Sequence, residues 1–218
     1  MDWEALRLSL LLAVATGLVL IPAGVMVARG LAYADFRGKS LVEAAIAIPL
    51  VLPPTVLGYY LLTAMGGASP LGAFYERMTG SPLAFSFEGL LVGSLIFNLP
   101  FALMPMERAF ESIPVEVRQA AECCGLSWYR TMWRIELPLA WPGIVSALVM
   151  TIAHTVGEFG VVLMVGGNIP GETRTIAISI YDRVQAFDMG AAGAMSAFLL
   201  VFSLVTLALT SRLSRRVW

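Results

Sequence analysis

Residues 89–106 read GLLVGSLIFNLPFALMPM, residues 107–136 read ERAFESIPVEVRQAAECCGLSWYRTMWRIE, and residues 137–157 read LPLAWPGIVSALVMTIAHTVG. The outer runs carry no Asp, Glu, Lys or Arg over 18 and 21 residues, while the 30 residues between them hold nine charged side chains. Hydrocarbon about 30 Å thick is crossed by ~20 apolar residues in a helix rising about 1.5 Å each. Two spans are therefore joined by a short polar hop. Backbone groups in lipid must be satisfied within their own segment, which leaves helices as the spanning structure.

Three more charge-free runs flank this unit: Leu8 to Ala28 (21 residues), Ala44 to Tyr75 (32) and Met189 to Ser211 (23). The expected fold class is an all-α integral membrane protein. It is a helical bundle of five transmembrane helices, forming one domain over residues 1–218. A sixth, half-inserted helix over Ile176–Val184 is left open. The apolar stretch from Phe159 to Gly171 reads as the end of the fourth helix plus a loop. The first run has the flank Asp2-Trp3-Glu4 in place of a basic n-region, so it reads as a retained span and not a signal peptide.

Composition agrees. Hydrophobic residues make up 58% and charged ones 13% of the chain, where a soluble domain carries about 25% charged. Mean hydropathy is +0.81. A soluble enzyme or a disordered chain does not look like this, and a net charge of −1 offers no basic field for nucleic acid. Five spans divide the basic side chains ten to four. Arg29, Arg37, Lys39, Arg108, Arg118, Arg130, Arg134, Arg212, Arg215 and Arg216 fall on one side, and Arg7, Arg77, Arg174 and Arg183 on the other. The richer side is cytoplasmic by the positive-inside rule, which puts the N-terminus outside and the C-terminus inside. Trp3 and Trp218 read as interfacial anchors, with lipid around the spans.

The polar hop has its own local grammar. Pro114 suits the first turn of a helix over Val115–Cys124, Gly125 its C′ position, and Ser127 the cap of a second helix from Trp128 that Pro138 ends. A helical hairpin with exposed aromatics and small Ala120 and Ala121 is a docking surface. Mixed charge signs argue against a helix lying on lipid. The adjacent Cys123 and Cys124 read as packing residues, and the single histidine forms no metal cluster.

Inside the spans, Pro49, Pro53 and Pro54 break the second helix, and Thr55 carries a hydroxyl beside that break. His154 and Glu158 lie four residues apart on one helical face and read as a buried pair, with Glu158 a structural or gate element near the outer end. Gly157 and Gly160 allow close approach at a dimer axis or a gate hinge. In the outer loop Gly166–Asp188, Asn168, Thr173 and Arg174 are donors for an anion, offset by Glu172, Asp182 and Asp188. No nucleophile–base pair or paired catalytic carboxylates emerge, so no reaction is assigned to the chain.

Three stretches resemble one family. Gln119-Ala120-Ala121, three residues, Gly125, nine residues, Ile135-x-Leu137-Pro138 is similar to the coupling-loop signature of ABC importer permeases. Gln119 stands where that family usually has Glu, keeping length and hydrogen bonding without the charge. Pro49-Leu50-Val51-Leu52-Pro53-Pro54-Thr55-Val56-Leu57-Gly58 resembles the molybdate permeases. So does His154-Thr155-Val156-Gly157-Glu158-Phe159-Gly160, with Gly167 to Thr173 closest to the molybdate type. Sulfate and tungstate permeases are similar around Gly157-Glu158-Phe159-Gly160.

The resemblance implies the permease subunit of an ATP-driven oxyanion importer, for molybdate or tungstate, in the cytoplasmic (inner) membrane of a prokaryote. It implies a homodimer, two ABC ATPase subunits and a periplasmic or extracytoplasmic oxyanion-binding protein. ATP and Mg sit on the ATPase, and this chain binds no cofactor. Residues 107–138 become the cytoplasmic coupling loop, with Gln119, Ala120, Ala121, Glu122, Gly125 and Trp128 at the ATPase. Pro53, Pro54, Thr55, His154, Gly157, Glu158 and Gly160 fall on the translocation pathway or gate. Alternatives from other classes are a secondary transporter or channel for a small anion, which usually carries more ionisable groups in its spans, and a membrane enzyme.

Overall fold

A computed structural model describes the backbone of residues 1–215 and the side chains of residues 1–208. Trp218 lies outside the described residues, as do the side chains of Arg212, Arg215 and Arg216. The elements are α1 (Trp3–Tyr33), α2 (Lys39–Val51), α3 (Pro54–Met65), α4 (Pro70–Thr79), α5 (Phe87–Glu111), α6 (Val115–Cys123) and α7 (Trp128–Thr131). A π-helical turn over Met132–Glu136 leads into α8 (Leu137–Gly157), followed by α9 (Gly160–Gly166), α10 (Ile176–Gln185) and α11 (Met189–Arg215). Among the described residues four helices are long and apolar enough to cross a membrane, or five if the bent pair α2–α3 counts as one span.

The bundle is centred on α1, α5 and α8. Leu20, Ala28, Ala102, Leu103, Met106, Phe110, Ala140, Ile144 and Ala147 form one buried cluster near the Arg29 end. Alanines at this seam let the helix backbones close up, the main source of packing energy where lipid is as apolar as the protein. Asp2 starts α1, its Oδ1 accepting from the Ala5 N–H at 3.0 Å and its Oδ2 from the Ser179 hydroxyl at 2.8 Å. One carboxylate thus ties the head of α1 to α10.

The 32-residue run is broken where the prolines predict it, α2 and α3 meeting at 109° across Leu52–Pro53. Three details differ from the sequence expectation. The chain does not continue α8 beyond Gly157. It turns at Glu158 and Phe159, and α9 is a separate short helix packed on α3 and α5. Helix α10 exists but has ten residues, about 15 Å of rise against ~30 Å of hydrocarbon. Finally, Pro138 does not end the helix begun at Trp128, for that helix runs on to Gly157 as one apolar unit. Proline removes one N–H and pushes its ring against the carbonyl four residues back. The wide turn over Met132–Glu136, with the Leu137 N–H reaching the Met132 carbonyl, absorbs that conflict immediately before it.

Candidate functional site

The polar hop folds into α6, a tight turn and α7. Helix α6 ends in a Schellman arrangement, with the Leu126 N–H on the Ala121 carbonyl (3.1 Å) and the Gly125 N–H on the Glu122 carbonyl (2.9 Å). Gly125 has φ +72°, a conformation costly for any residue with a Cβ. Ser127 sits at the N-cap of α7 without a side-chain cap bond. Val117 and Ala121 face the bundle, and Gln119, Ala120, Glu122, Gly125 and Trp128 face outward. Ala121 is thus a correction: at 4% exposed it packs against its own chain and only Ala120 is free for a partner. Trp128, Tyr129 and Trp133 form an exposed aromatic row with successive ring centroids 5.9 and 6.0 Å apart.

Sequence reasoning missed what anchors this loop. In the sequence Glu136 reads as a loop charge, yet it is 0% exposed. Arg29 Nη2 donates to its Oε1 at 3.1 Å and Arg29 Nε to its Oε2, while Arg118 Nε stands 3.5 Å from Oε1. The Arg118 guanidinium lies 3.7 Å from the centre of the Tyr33 ring. A lone Glu at the head of a span gives no periodic signal. The available clue was two arginines, Arg29 and Arg118, on the same side of the membrane.

Deeper in the bundle a cavity of about 180 Å³ lies at the α2–α3 corner, lined by Pro49, Leu52, Pro54, Phe101, His154 and Glu158 among others. The corner falls where two consecutive prolines lack N–H groups, so breaking the helix there orphans no donor at 53 or 54. Gly160 permits this corner to close. A Cβ on it would lie 2.6 Å from Pro54 Cβ, so its close approach is to α3 of the same chain. Pro53, Thr55 and Gly157 are exposed and do not line the cavity.

His154 and Glu158 share this cavity without bonding each other, which corrects the expected pair. The Gly157–Glu158 turn ends the helical register that would have stacked them. Glu158 Oε1 instead accepts the Val161 N–H at 2.9 Å at the start of α9, where a carboxylate complements the helix dipole. His154 packs on Phe101, ring centroids 3.9 Å apart, and its Nδ1 is 3.2 Å from Asn98 Oδ1. Asn98, 0% exposed, is a further residue that sequence reasoning missed. Its Nδ2 meets the Ser94 carbonyl (2.9 Å) and Thr155 Oγ1 (2.8 Å), and Ser94 Oγ meets Thr16 Oγ1 at 2.8 Å. A carbonyl can only accept, so the amide NH₂ must face Ser94 and Oδ1 must face the imidazole. The proton of neutral His154 is thereby assigned to Nδ1, and Nε2 is an acceptor. The cavity's side chains then offer a carboxylate, an imidazole lone pair and aromatic faces, none of which holds a dianion in this state.

In the outer loop Asn168 and Arg174 come together on each other, while Thr173 bonds the backbone of Gly166 and Ile169. Arg174 Nε donates to Asn168 Oδ1 (2.6 Å), Asn168 Nδ2 to Asp182 Oδ2 (2.8 Å), and Arg174 stands 3.7 Å from Asp182. Thr173 is buried, its hydroxyl on the Gly166 carbonyl at 2.6 Å. The Asn168 amide, the Thr173 hydroxyl and the Arg174 Nε thereby brace the loop, and among the described residues the rest of the Arg174 guanidinium makes no hydrogen bond within it. Among the described residues no cluster of His, Cys, Asp and Glu suits a metal ion.

A family model described as a binding-protein-dependent transport system inner membrane component matches residues 20–218. The chain is 43% identical over 206 residues to the molybdenum transport system permease protein ModB of Azotobacter vinelandii, covering 94% of this chain and 91% of that one. It is 36% identical to ModB of Haemophilus influenzae over 218 residues, covering 100% of this chain and 95% of that one. A bacterial alginate ABC transporter, solved with an alginate-loaded periplasmic protein, shares the fold at a TM-score of 0.77 and 18% identity, covering 98% of this chain and 78% of that one.

Proposed function

Since the chain belongs to the family of binding-protein-dependent transport system inner membrane components, we propose that it is the permease subunit of an ATP-driven importer whose cargo is molybdate. The observation that carries the cargo is the 43% identity to a molybdenum permease across 94% of the chain. The chain is a multi-pass inner-membrane protein and not an enzyme; ATP hydrolysis belongs to a separate subunit. Two copies pair around a path, each docks one ATPase with its Mg-bound ATP, and an oxyanion-binding protein meets the outer mouth. The N-terminus is outside and the C-terminus is cytoplasmic.

Three observations support these parts. The α6–α7 hairpin presents Gln119, Ala120, Glu122, Gly125 and Trp128 outward on the side richer in basic residues, where an ATPase docks. The cavity at Pro54, His154 and Glu158 carries no free donor, which suits a closed stretch of pathway better than a binding site. In the outer loop Arg174 pairs with Asp182 and Arg183 with Asp188, which suits specificity resting with the binding protein that delivers the anion.

The test is reconstitution of the chain in vesicles with its ATPase and oxyanion-binding protein. Molybdate uptake that needs all three components and ATP is the expected result. Uptake by this chain alone on an ion gradient would make it a secondary transporter and end the proposal.

A further inference from the structure

Glu136 is the one charged side chain in the buried core among the described residues, and three elements meet on it. Arg29 lies one turn before the end of α1, Arg118 sits on α6, and Glu136 itself lies in the π turn at the head of α8. Arg29 grips both carboxylate oxygens, whereas Arg118 makes one contact at 3.5 Å. The two attachments therefore differ in kind. The forked one satisfies the carboxylate by itself and fastens α1 to α8. The single one can let go without leaving a buried charge unpaired, because Arg118 is 30% exposed and can turn toward water.

Helix α6 has few other holds on the bundle. Val117 and Ala121 give it a small apolar footing. Among the described residues Arg118–Glu136 is its one ion pair to a membrane helix. Tyr33 completes the seat, its ring beneath Arg118 at 3.7 Å and within 5.3 Å of Arg29. The carboxylate is carried by a π turn, a locally wider helix able to re-form its hydrogen bonds when the head of α8 shifts.

We propose that Glu136 is the joint that passes movement of α6 to α1 and α8, with Arg29 the permanent arm and Arg118 the releasable one. These are positioning residues, since none touches the cargo or ATP. The proposal rests on α6 being the helix that meets the ATPase.

The experiment uses the full transporter, permease with ATPase and binding protein in vesicles, and reads molybdate taken up per ATP hydrolysed. Arg118→Gln should assemble with the ATPase in the wild-type ratio and keep hydrolysing ATP, with uptake per ATP at least tenfold lower. Arg118→Lys should regain at least half of the wild-type ratio, because one ammonium contact replaces one Nε contact. Arg29→Lys should not, because an ammonium cannot make the forked grip. Wild-type uptake per ATP in Arg118→Gln would overturn the joint. Loss of ATPase from that variant would also overturn it, by placing Arg118 in the docking surface. A wild-type transporter whose ATPase ignores the loaded binding protein, or that lacks α6 contact with the ATPase in crosslinking, would instead bring down the reading of α6 on which the joint stands.

Discussion

Gly125 separates two explanations of a turn glycine, lack of space and backbone angle. Its φ is +72°, and a Cβ built on it meets no atom within 4 Å. Any penalty for substitution is therefore torsional. The left-handed conformation costs about 1–2 kcal/mol for a residue with a Cβ, and a β-branched one sits at or above the upper end. At about 2 kcal/mol, valine lowers the share of correctly turned hairpin about thirtyfold. Nine-residue α6 has little intrinsic stability to resist, since isolated helices below ~12 residues are marginal. Asparagine tolerates this region, so it should behave nearly as glycine. In the reconstituted transporter, stimulation of ATP hydrolysis by loaded binding protein should rank Gly125 and Gly125→Asn together, then Gly125→Ala, then Gly125→Val near background. The membrane bundle should stay folded in all four. If Asn fails as badly as Val, space or a partner's shape is decisive and the torsional account is wrong; full stimulation in Val would refute the role of the turn itself.

Asn98→Ala removes the hub of the seam joining α5 to α8 and strands the His154 Nδ1–H. Two interhelical bonds at about 0.6 kcal/mol each, plus an unpaired buried donor at ~1–3 kcal/mol, give a loss of about 2–4 kcal/mol in denaturant titration in detergent; a loss under about 0.5 kcal/mol would show that the network carries no stability. The Tyr33 hydroxyl is buried with no hydrogen-bond partner. Tyr33→Phe should therefore be neutral or stabilising by about 1 kcal/mol in the same titration, whereas Tyr33→Leu, which removes the ring under Arg118, should lower uptake per ATP. Burial pushes the Asp2 carboxyl up, but the Ala5 N–H, the Ser179 hydroxyl and then Arg174 and Arg183 together hold it below its ordinary 3.8. A lowered native value means its contribution is complete above pH 3.8 and fades as pH falls through the still lower native value. Melting curves of wild type and Asp2→Asn should accordingly converge at low pH and separate above it.

The spans were legible because lipid imposes a length and an absence of charge that a sequence displays directly. The hairpin was legible because Gly125 and Pro114 act on their own neighbours. The α9 break was not: Val161 to Gly166 is as apolar as α8, and what ends α8 is a single turn at Glu158 and Phe159, with Glu158 then capping α9. Hydropathy has no phase, so it cannot report that register is lost. Asn98 and Glu136 escaped for a related reason. Asn98 meets His154 across 56 residues and Glu136 meets Arg29 across 107, where no spacing rule reaches. Pro138 misled because a proline reads as a stop unless a π turn precedes it, and π turns leave no compositional mark.

That π turn also sets an angular phase. Each residue advances a helix by about 100°, so a wide turn that takes in one extra residue leaves everything before it about 100° from where an unbroken α-helix of the same residues would put it. The aromatic row of Trp128, Tyr129 and Trp133 is thereby aimed independently of the α8 face that packs Ala140, Ile144 and Ala147. Forcing an ordinary helix on the same residues would swing the hairpin about 100° around the α8 axis, leaving each half intact and the two pointing at the wrong neighbours, whereas deleting one residue between Met132 and Glu136 along with the wide turn would restore nearly the present phase. Over this stretch the width of one turn, and not only the chemistry of its residues, sets where the hairpin points.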